Sequence, residues 1–291
     1  MSADDRVLVG LGHDGGGIPE LNWAAREATS RGAPLHVLRA CDVTEPVEAW
    51  LVAPRRVMVD ELIDDAEQAL GAALEHVRRR WPDLEVHGRV AEGAAAKLLV
   101  EGSRDAAVTV VGSRQLSTIG AMVLGSVSAA VVATARGPVV VVGRHLREPI
   151  SDPAVVVGLD GFGRADELLG FAFEHASRHH RTLHAVACWN DDVLGVTPWP
   201  LAHHGAEAAA GWLAQTLSGW QQKHPEVRVR REIVHDHPVA GLVAASAGHD
   251  LLVVGSHARR PHVPSRLGSV SQGVLHHAHC PVAVLHPRGG A

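Results

Sequence analysis

Short apolar runs alternate with longer amphipathic ones along the whole chain. Arg6–Leu11 (RVLVGL) is stopped by Gly12 and reads as a strand. Pro19–Arg31 reads as a helix: proline lies near its first turn, Leu21, Ala24, Ala25 and Ala28 fall at helical spacing, and Gly32 follows. Leu35–Ala40 is a second strand, and Cys41–Val57, with Pro46 and Pro54, a loop. Met58–Arg80 puts Leu62, Ala66, Leu70, Leu74 and Val77 on one face of a long helix, which Trp81-Pro82 ends. Leu84–Val90 is a third strand and Ala94–Ser103 a short helix. Val108–Val111 is β-branched, short and bounded by Gly112, the pattern of a strand buried on both faces. A helix over Ser128–Ala135, ended by Gly137-Pro138, leads to a fifth strand at Val139–Val142.

The second half repeats this order. Strands are expected at Ala154–Leu159, Leu183–Trp189, Val227–Val234, Leu251–Val254 and Val282–Leu285, and helices at Arg164–His180, His203–His224, Val239–Gly248 and Ser271–His279. Strict alternation of strand and helix indicates α/β domains with parallel sheets. A repeat of this size, with a full strand–helix set in each copy, divides the chain into two similar domains. The boundaries are expected at residues 1–146 and 154–291, with a linker over 147–153 that contains Pro149 and Pro153.

The repeat is most exact where the fourth strand ends. TVVGSRQLSTIGAMVLGSVS in the first half corresponds to LLVVGSHARRPHVPSRLGSVS in the second, with identical loop length between Gly112 and Gly125 and between Gly255 and Gly268. Each copy is a strand, a long loop and the start of an apolar helical run, with serines placed to cap the helix. A flexible loop that ends at a helix N-terminus is a place for phosphate, because unpaired N–H groups and the helix dipole favour an anion. The spacing resembles the universal stress protein family, whose fingerprint is glycine, two residues, glycine, nine residues, then glycine followed by Ser or Thr. The first and third glycines stand in both copies; Gln115 and Ala258 replace the second.

The resemblance covers nearly the whole chain, twice. It implies two tandem doubly wound, five-stranded parallel sheets of strand order 3-2-1-4-5, a Rossmann-like fold of the adenine nucleotide alpha hydrolase type. Ligands then bind outside the carboxyl ends of strands 1 and 4, where the chain changes direction. It implies a stress-response or regulatory protein that binds an adenine nucleotide, ATP, alone or with Mg2+. An aspartate after strand 1 contacts the adenosine part: Asp160, followed by Gly161, matches it, whereas the first domain has Gly12 there. Cys188, at the end of strand 2, matches the position where backbone meets adenine. The phosphate end corresponds to Gly255, Ser256 and His257 with Gly268, Ser269, Val270 and Ser271. In the first domain it corresponds to Gly112, Ser113 and Arg114 with Gly125, Ser126, Val127 and Ser128. Binding is therefore expected mainly in the second domain. The alternative is a partner-binding scaffold with degenerate sites, which Gly12, Gln115 and Ala258 favour. Family dimers imply that the two domains form a pseudo-dimer through their apolar fifth strands, with a homodimer of chains as a further expectation.

Composition narrows the alternatives. The net charge of −5, with Lys and Arg scattered, gives no basic stripe for nucleic acid, and aromatics at 3% supply no stacking platform. Three cysteines without metal-like spacing suit a reducing cytoplasm. The first strand begins almost at once, so no signal peptide is expected, and no apolar run is long enough to span a bilayer. His276-His277-Ala278-His279-Cys280 has the composition of a metal tract, but on a helix only His276 and Cys280 share a face. No Gly-x-Ser-x-Gly elbow, HExxH or Walker lysine follows the glycines, so ATP turnover is expected to be slow at most.

Overall fold

The computed structural model of the protein describes residues 6–12, 17–42, 55–113, 124–143, 150–161, 165–189, 205–256 and 267–286. Two compact units emerge, one from residues up to 113 together with 125–143, the other from residue 150 onward.

In the first unit, β1 (Arg6–Gly10) leads to α1 (Ile18–Arg31), β2 (Leu35–Cys41), α2 (Arg55–Arg80) and β3 (Val86–Glu92). Then come α3 (Ala95–Gly102), a 3-10 turn (Ser103–Asp105), β4 (Ala106–Gly112), α4 (Ser126–Thr134) and β5 (Val139–Val142). The strand order is β3-β2-β1-β4-β5. Pairing is parallel throughout, with Val7 opposite both Leu35 and Val108, and Thr109 opposite Val139. Central strands lose water on both faces, hence their continuous valines: Val108, Val110 and Val111 of β4 are buried. Helix α1 carries proline in its first turn, buries Leu21, Trp23, Ala24, Ala25 and Ala28, and ends at Gly32 in the left-handed region (φ 60).

The second unit repeats the plan with β6 (Val155–Leu159), α5 (Ala165–Arg178), β7 (Leu183–Trp189), α6 (Gly205–Lys223) and β8 (Val229–His235). It continues with α7 (Pro238–Ala245), β9 (Leu251–Gly255), α8 (Ser269–His277) and β10 (Val282–Leu285). Its order, β8-β7-β6-β9-β10, is the same 3-2-1-4-5 arrangement, again all parallel. The expected fold class therefore stands in both copies.

Two expectations are corrected. Ser126 and Ser269 do not cap their helices. The caps are Gly125 and Gly268, with extended backbone (φ −63, ψ 157 and φ −62, ψ 153) and no side-chain cap bond. Nor do His276 and Cys280 share a helix face, because α8 ends at His277 and Cys280 lies buried beyond it. Burial pushes the Cys280 thiol up to about 12, so it stays protonated.

Candidate functional site: the switch-point crevices

In a 3-2-1-4-5 sheet the connections after strands 1 and 4 leave in opposite directions and open a crevice between their carboxyl ends. In the second unit that crevice lies above β6 and β9. Asp160 directly follows β6 and is half-buried. Gly161 then turns the chain at φ 74, a conformation that a β-carbon disfavours. Across the crevice β9 ends at Gly255, and the Ser256 N–H donates to Leu285 O at 2.9 Å. The buried Ser256 hydroxyl is 2.8 Å from Nδ1 of His286. Helix α8 begins beside this strand end because the Ser271 hydroxyl donates to the Gly255 carbonyl. Ser269, Val270 and Ser271 thus form the first turn of a helix whose cap, Gly268, has no side chain to cover the free N–H groups of that turn.

The first unit repeats the phosphate end closely. Ser128 Oγ donates to Gly112 O at 2.6 Å, Ala129 N–H bonds Gly125 O at 2.8 Å, and Ser113 N–H bonds Val142 O at 3.0 Å. The Ser113 hydroxyl is buried without a hydrogen-bond partner among the described residues, since Gly143 stands where the second unit has His286. Ser126 and Val127 open the first turn of α4. The other end of the crevice differs. Arg39, buried in β2, donates from Nη1 to Gly12 O at 2.6 Å and to Leu11 O at 3.3 Å, so a guanidinium holds the loop that in the second unit carries Asp160. Glu20, the third residue of α1 and only 5% exposed, lies against Gly112: a β-carbon there would sit 2.5 Å from Glu20 Oε1.

Cys188 lies near the carboxyl end of β7, one residue past Ala187, which pairs with Leu159. Its thiol is turned towards α7, 4.0 Å from Pro238 O, and burial pushes it up to about 12. This position offers backbone rather than a reactive sulfur. Arg114 and His257 lie outside the described residues. The motif reading missed Glu20 and Arg39. Their only signals were a charged residue inside the apolar run LHVLRAC and an acid just after Pro19.

These features define a doubly wound, Rossmann-like α/β protein with two switch-point crevices, each backed by a glycine-capped helix. The protein belongs to the universal stress protein family, whose sequence profile matches residues 5–143 and again 153–286. A universal stress protein of Mycolicibacterium smegmatis is 32% identical, over 97% of this chain and 97% of that protein. One of Mycobacterium tuberculosis is 33% identical, over 96% and 95%. The crystal structure of a universal stress protein from Archaeoglobus fulgidus shares the fold, with a TM-score of 0.69 at 18% identity, covering 99% of this chain and 100% of that one. No helix among the described residues is long and apolar enough to cross a membrane.

Proposed function

We propose that this universal stress protein is a regulatory protein that binds an adenine nucleotide, ATP, chiefly in the crevice of the second unit. The observation that carries this reading is the pairing found there of a carboxylate at the end of β6 with a glycine-capped helix N-terminus fastened to the end of β9. An acid suits ribose hydroxyls, which donate hydrogen bonds. The start of α8 suits phosphate, because its dipole and N–H groups favour negative charge. The side chains of Ser256 and Ser271 are spent on His286 and Gly255, so they hold the cradle in shape. The N–H groups of the first turn of α8, with the exposed Ser269 beside them, are what this end of the crevice offers a phosphate.

A hydrogen bond to a charged group contributes roughly 1.5–3 kcal/mol. Asp160→Ala is therefore expected to weaken ATP binding by about ten- to hundredfold. Titration calorimetry of the two proteins with ATP checks this. Wild-type-like affinity in Asp160→Ala would move the working site elsewhere.

A further inference from the structure

We propose that the first unit carries a binding site for a small organic monocarboxylate, in a cavity between α3 and the face of β2 and β3 that α3 leaves bare. The site is separate from the switch-point crevice and does not depend on the nucleotide reading. It arises from how the helices cover the sheet. Helix α2 lies over β2 and β3 on one face: a β-carbon on Gly88 would stand 2.6 Å from Leu74 Cδ1. Helix α3 crosses to the other face and settles over β1. There a β-carbon on Gly10 would stand 2.9 Å from Leu99 Cδ1, and one on Gly102 2.8 Å from Leu8 Cδ2. Alternate residues of a strand share a face. On the α3 face His36 and Leu38 of β2 are half-buried, and His87 and Arg89 of β3 are exposed. The cavity there measures about 340 Å³, at the small end of ligand pockets, about 300–1,000 Å³.

The second unit shows what this cavity lacks. Leu35 pairs with Val86 in the first unit, and Leu183 with Val229 in the second. Counting along the strands, His36 corresponds to His184 and Arg89 to Glu232. Glu232 Oε2 lies 2.8 Å from His184 Nε2 and 3.7 Å from Arg230 Nη2. A carboxylate of the chain itself therefore fills that place, and His184 is buried beneath it. In the first unit the acid is replaced by the cation Arg89, and the His36 ring has no hydrogen bond among the described residues. Arg6 adds a further donor where the second unit has Ala154. Its Nη2 donates to Asp105 Oδ2 at 3.2 Å, while its Nε is buried without a partner among the described residues. Buried donors are normally satisfied, so this one calls for an acceptor. Arg6, His36 and Arg89 all line the cavity. Two guanidinium groups and an imidazole N–H suit a carboxylate supplied from outside, in the role that Glu232 plays in the other copy.

The remaining walls limit the ligand. Glu101 and Asp105 stand on the α3 side. They repel a multiply charged anion, so phosphate and nucleotides are disfavoured, whereas a single charge held at β2 and β3 is matched. Leu8, Leu38 and Leu98 supply apolar surface for a short hydrocarbon body.

The test is an NMR titration of the intact chain with hexanoate, with hexanamide as its uncharged counterpart and inorganic phosphate as the multiply charged anion. Expected are saturable shifts of the His36 ring and of the amides from His87 to Arg89. Hexanoate should bind about tenfold tighter than hexanamide, and phosphate should not saturate these signals. Arg89→Glu copies the second unit by placing the chain's own carboxylate beside His36, and should weaken hexanoate by about tenfold or more. Arg89 is exposed, so the substitution removes no packing, and a thermal melt confirms folding. Arg89→Gln, which removes the cation without adding an acid, should give a smaller loss and serves if the glutamate variant folds poorly. Equal binding of hexanoate and hexanamide would reduce the site to an apolar groove and overturns the proposal. So does tighter binding of phosphate, an absence of shifts at these residues, or unchanged hexanoate affinity in the folded variants. None of these results bears on ATP binding by the second unit, which calorimetry of the same samples reads separately.

Discussion

At the scale of single residues, the two copies show how one backbone requirement is met by different side chains. Helix α1 ends in a paired closing motif, with Ala33 N–H bonded to Ala28 O at 3.0 Å and Gly32 N–H to Thr29 O at 3.1 Å. Helix α5 ends in the same motif, Arg181 N–H to Ala176 O at 2.8 Å and His180 N–H to Ser177 O at 3.2 Å. The left-handed position is glycine in one copy and His180, at φ 51, in the other. A β-carbon there costs about 1–2 kcal/mol, partly offset by the entropy that glycine loses on folding. His180 is exposed, so its replacement removes no buried contact. His180→Gly is expected to stabilise the second unit by about 0.5–1 kcal/mol, which urea denaturation checks. The same kind of comparison exposes Glu20 and Arg39. Their identities are plain in the sequence, but their meaning is not, because each acts on a strand end or loop far away along the chain. Asp160 and the paired glycines were legible because the family resemblance supplied their spacing and the repeat showed it twice.

At the scale of elements, helices and central strands were legible and edge strands less so. The third strand of each unit begins two residues later than its apolar run suggests, at Val86 and Val229. Leu84 closes a turn with Trp81 instead, and pairing carries β3 on to Glu92 opposite Cys41. Exposed positions on β3 and β8 blur the hydrophobic signal, and hydrogen bonding to β2 and β7 decides the limits. Helices α4 and α8 start two residues early for a related reason: the serines expected to begin them are used as third residues of the first turn, to fasten strand to helix. The foot of the second sheet carries a histidine pair that the sequence reading left unassigned. His184 of β7 is buried, with Nε2 2.8 Å from Oε2 of Glu232 on β8. Its ring meets His249, which precedes β9 and whose Nδ1 accepts the Ala154 N–H at 2.9 Å. Burial first, then Arg230, pulls both rings below their ordinary 6.5, against smaller upward pulls from Glu232 on His184 and from Asp250 and Asp152 on His249. With the folded values depressed, the unfolded chain binds more protons as pH falls below 6.5. Their contribution to stability is complete above that pH and is lost progressively towards the folded values. Urea denaturation at pH 7.5 and at pH 5.5 should show the loss, and His184→Asn should reduce it. An unchanged pH dependence in that variant would assign the effect to other groups.

At the scale of the molecule, two units of the same strand order stand in one chain. Within its own unit each sheet ends on a short, wholly apolar strand, VVVV at β5 and VAVL at β10, and all eight residues are buried. A short apolar strand at the end of a sheet presents unpaired N–H and C=O groups and invites pairing; charge or proline is the usual protection, and neither is present. The intervening chain, with Pro149 and Pro153, is too polar to supply a shared core of its own. We therefore expect the halves to stay associated through these strands after the covalent link is cut. A protease site inserted within residues 147–153, followed by cleavage and gel filtration, tests this directly. Co-elution of the two fragments at the size of the intact chain is expected. Ala283→Glu in the same background should then release them, because a carboxylate on β10 would be desolvated without a partner at a cost of several kcal/mol. Fragments that separate without the glutamate would show that the linker, not strand pairing, holds the units together. ATP titration of the cleaved, co-eluting pair adds a further reading: a binding site that belongs wholly to the second unit should keep its affinity when the link is cut.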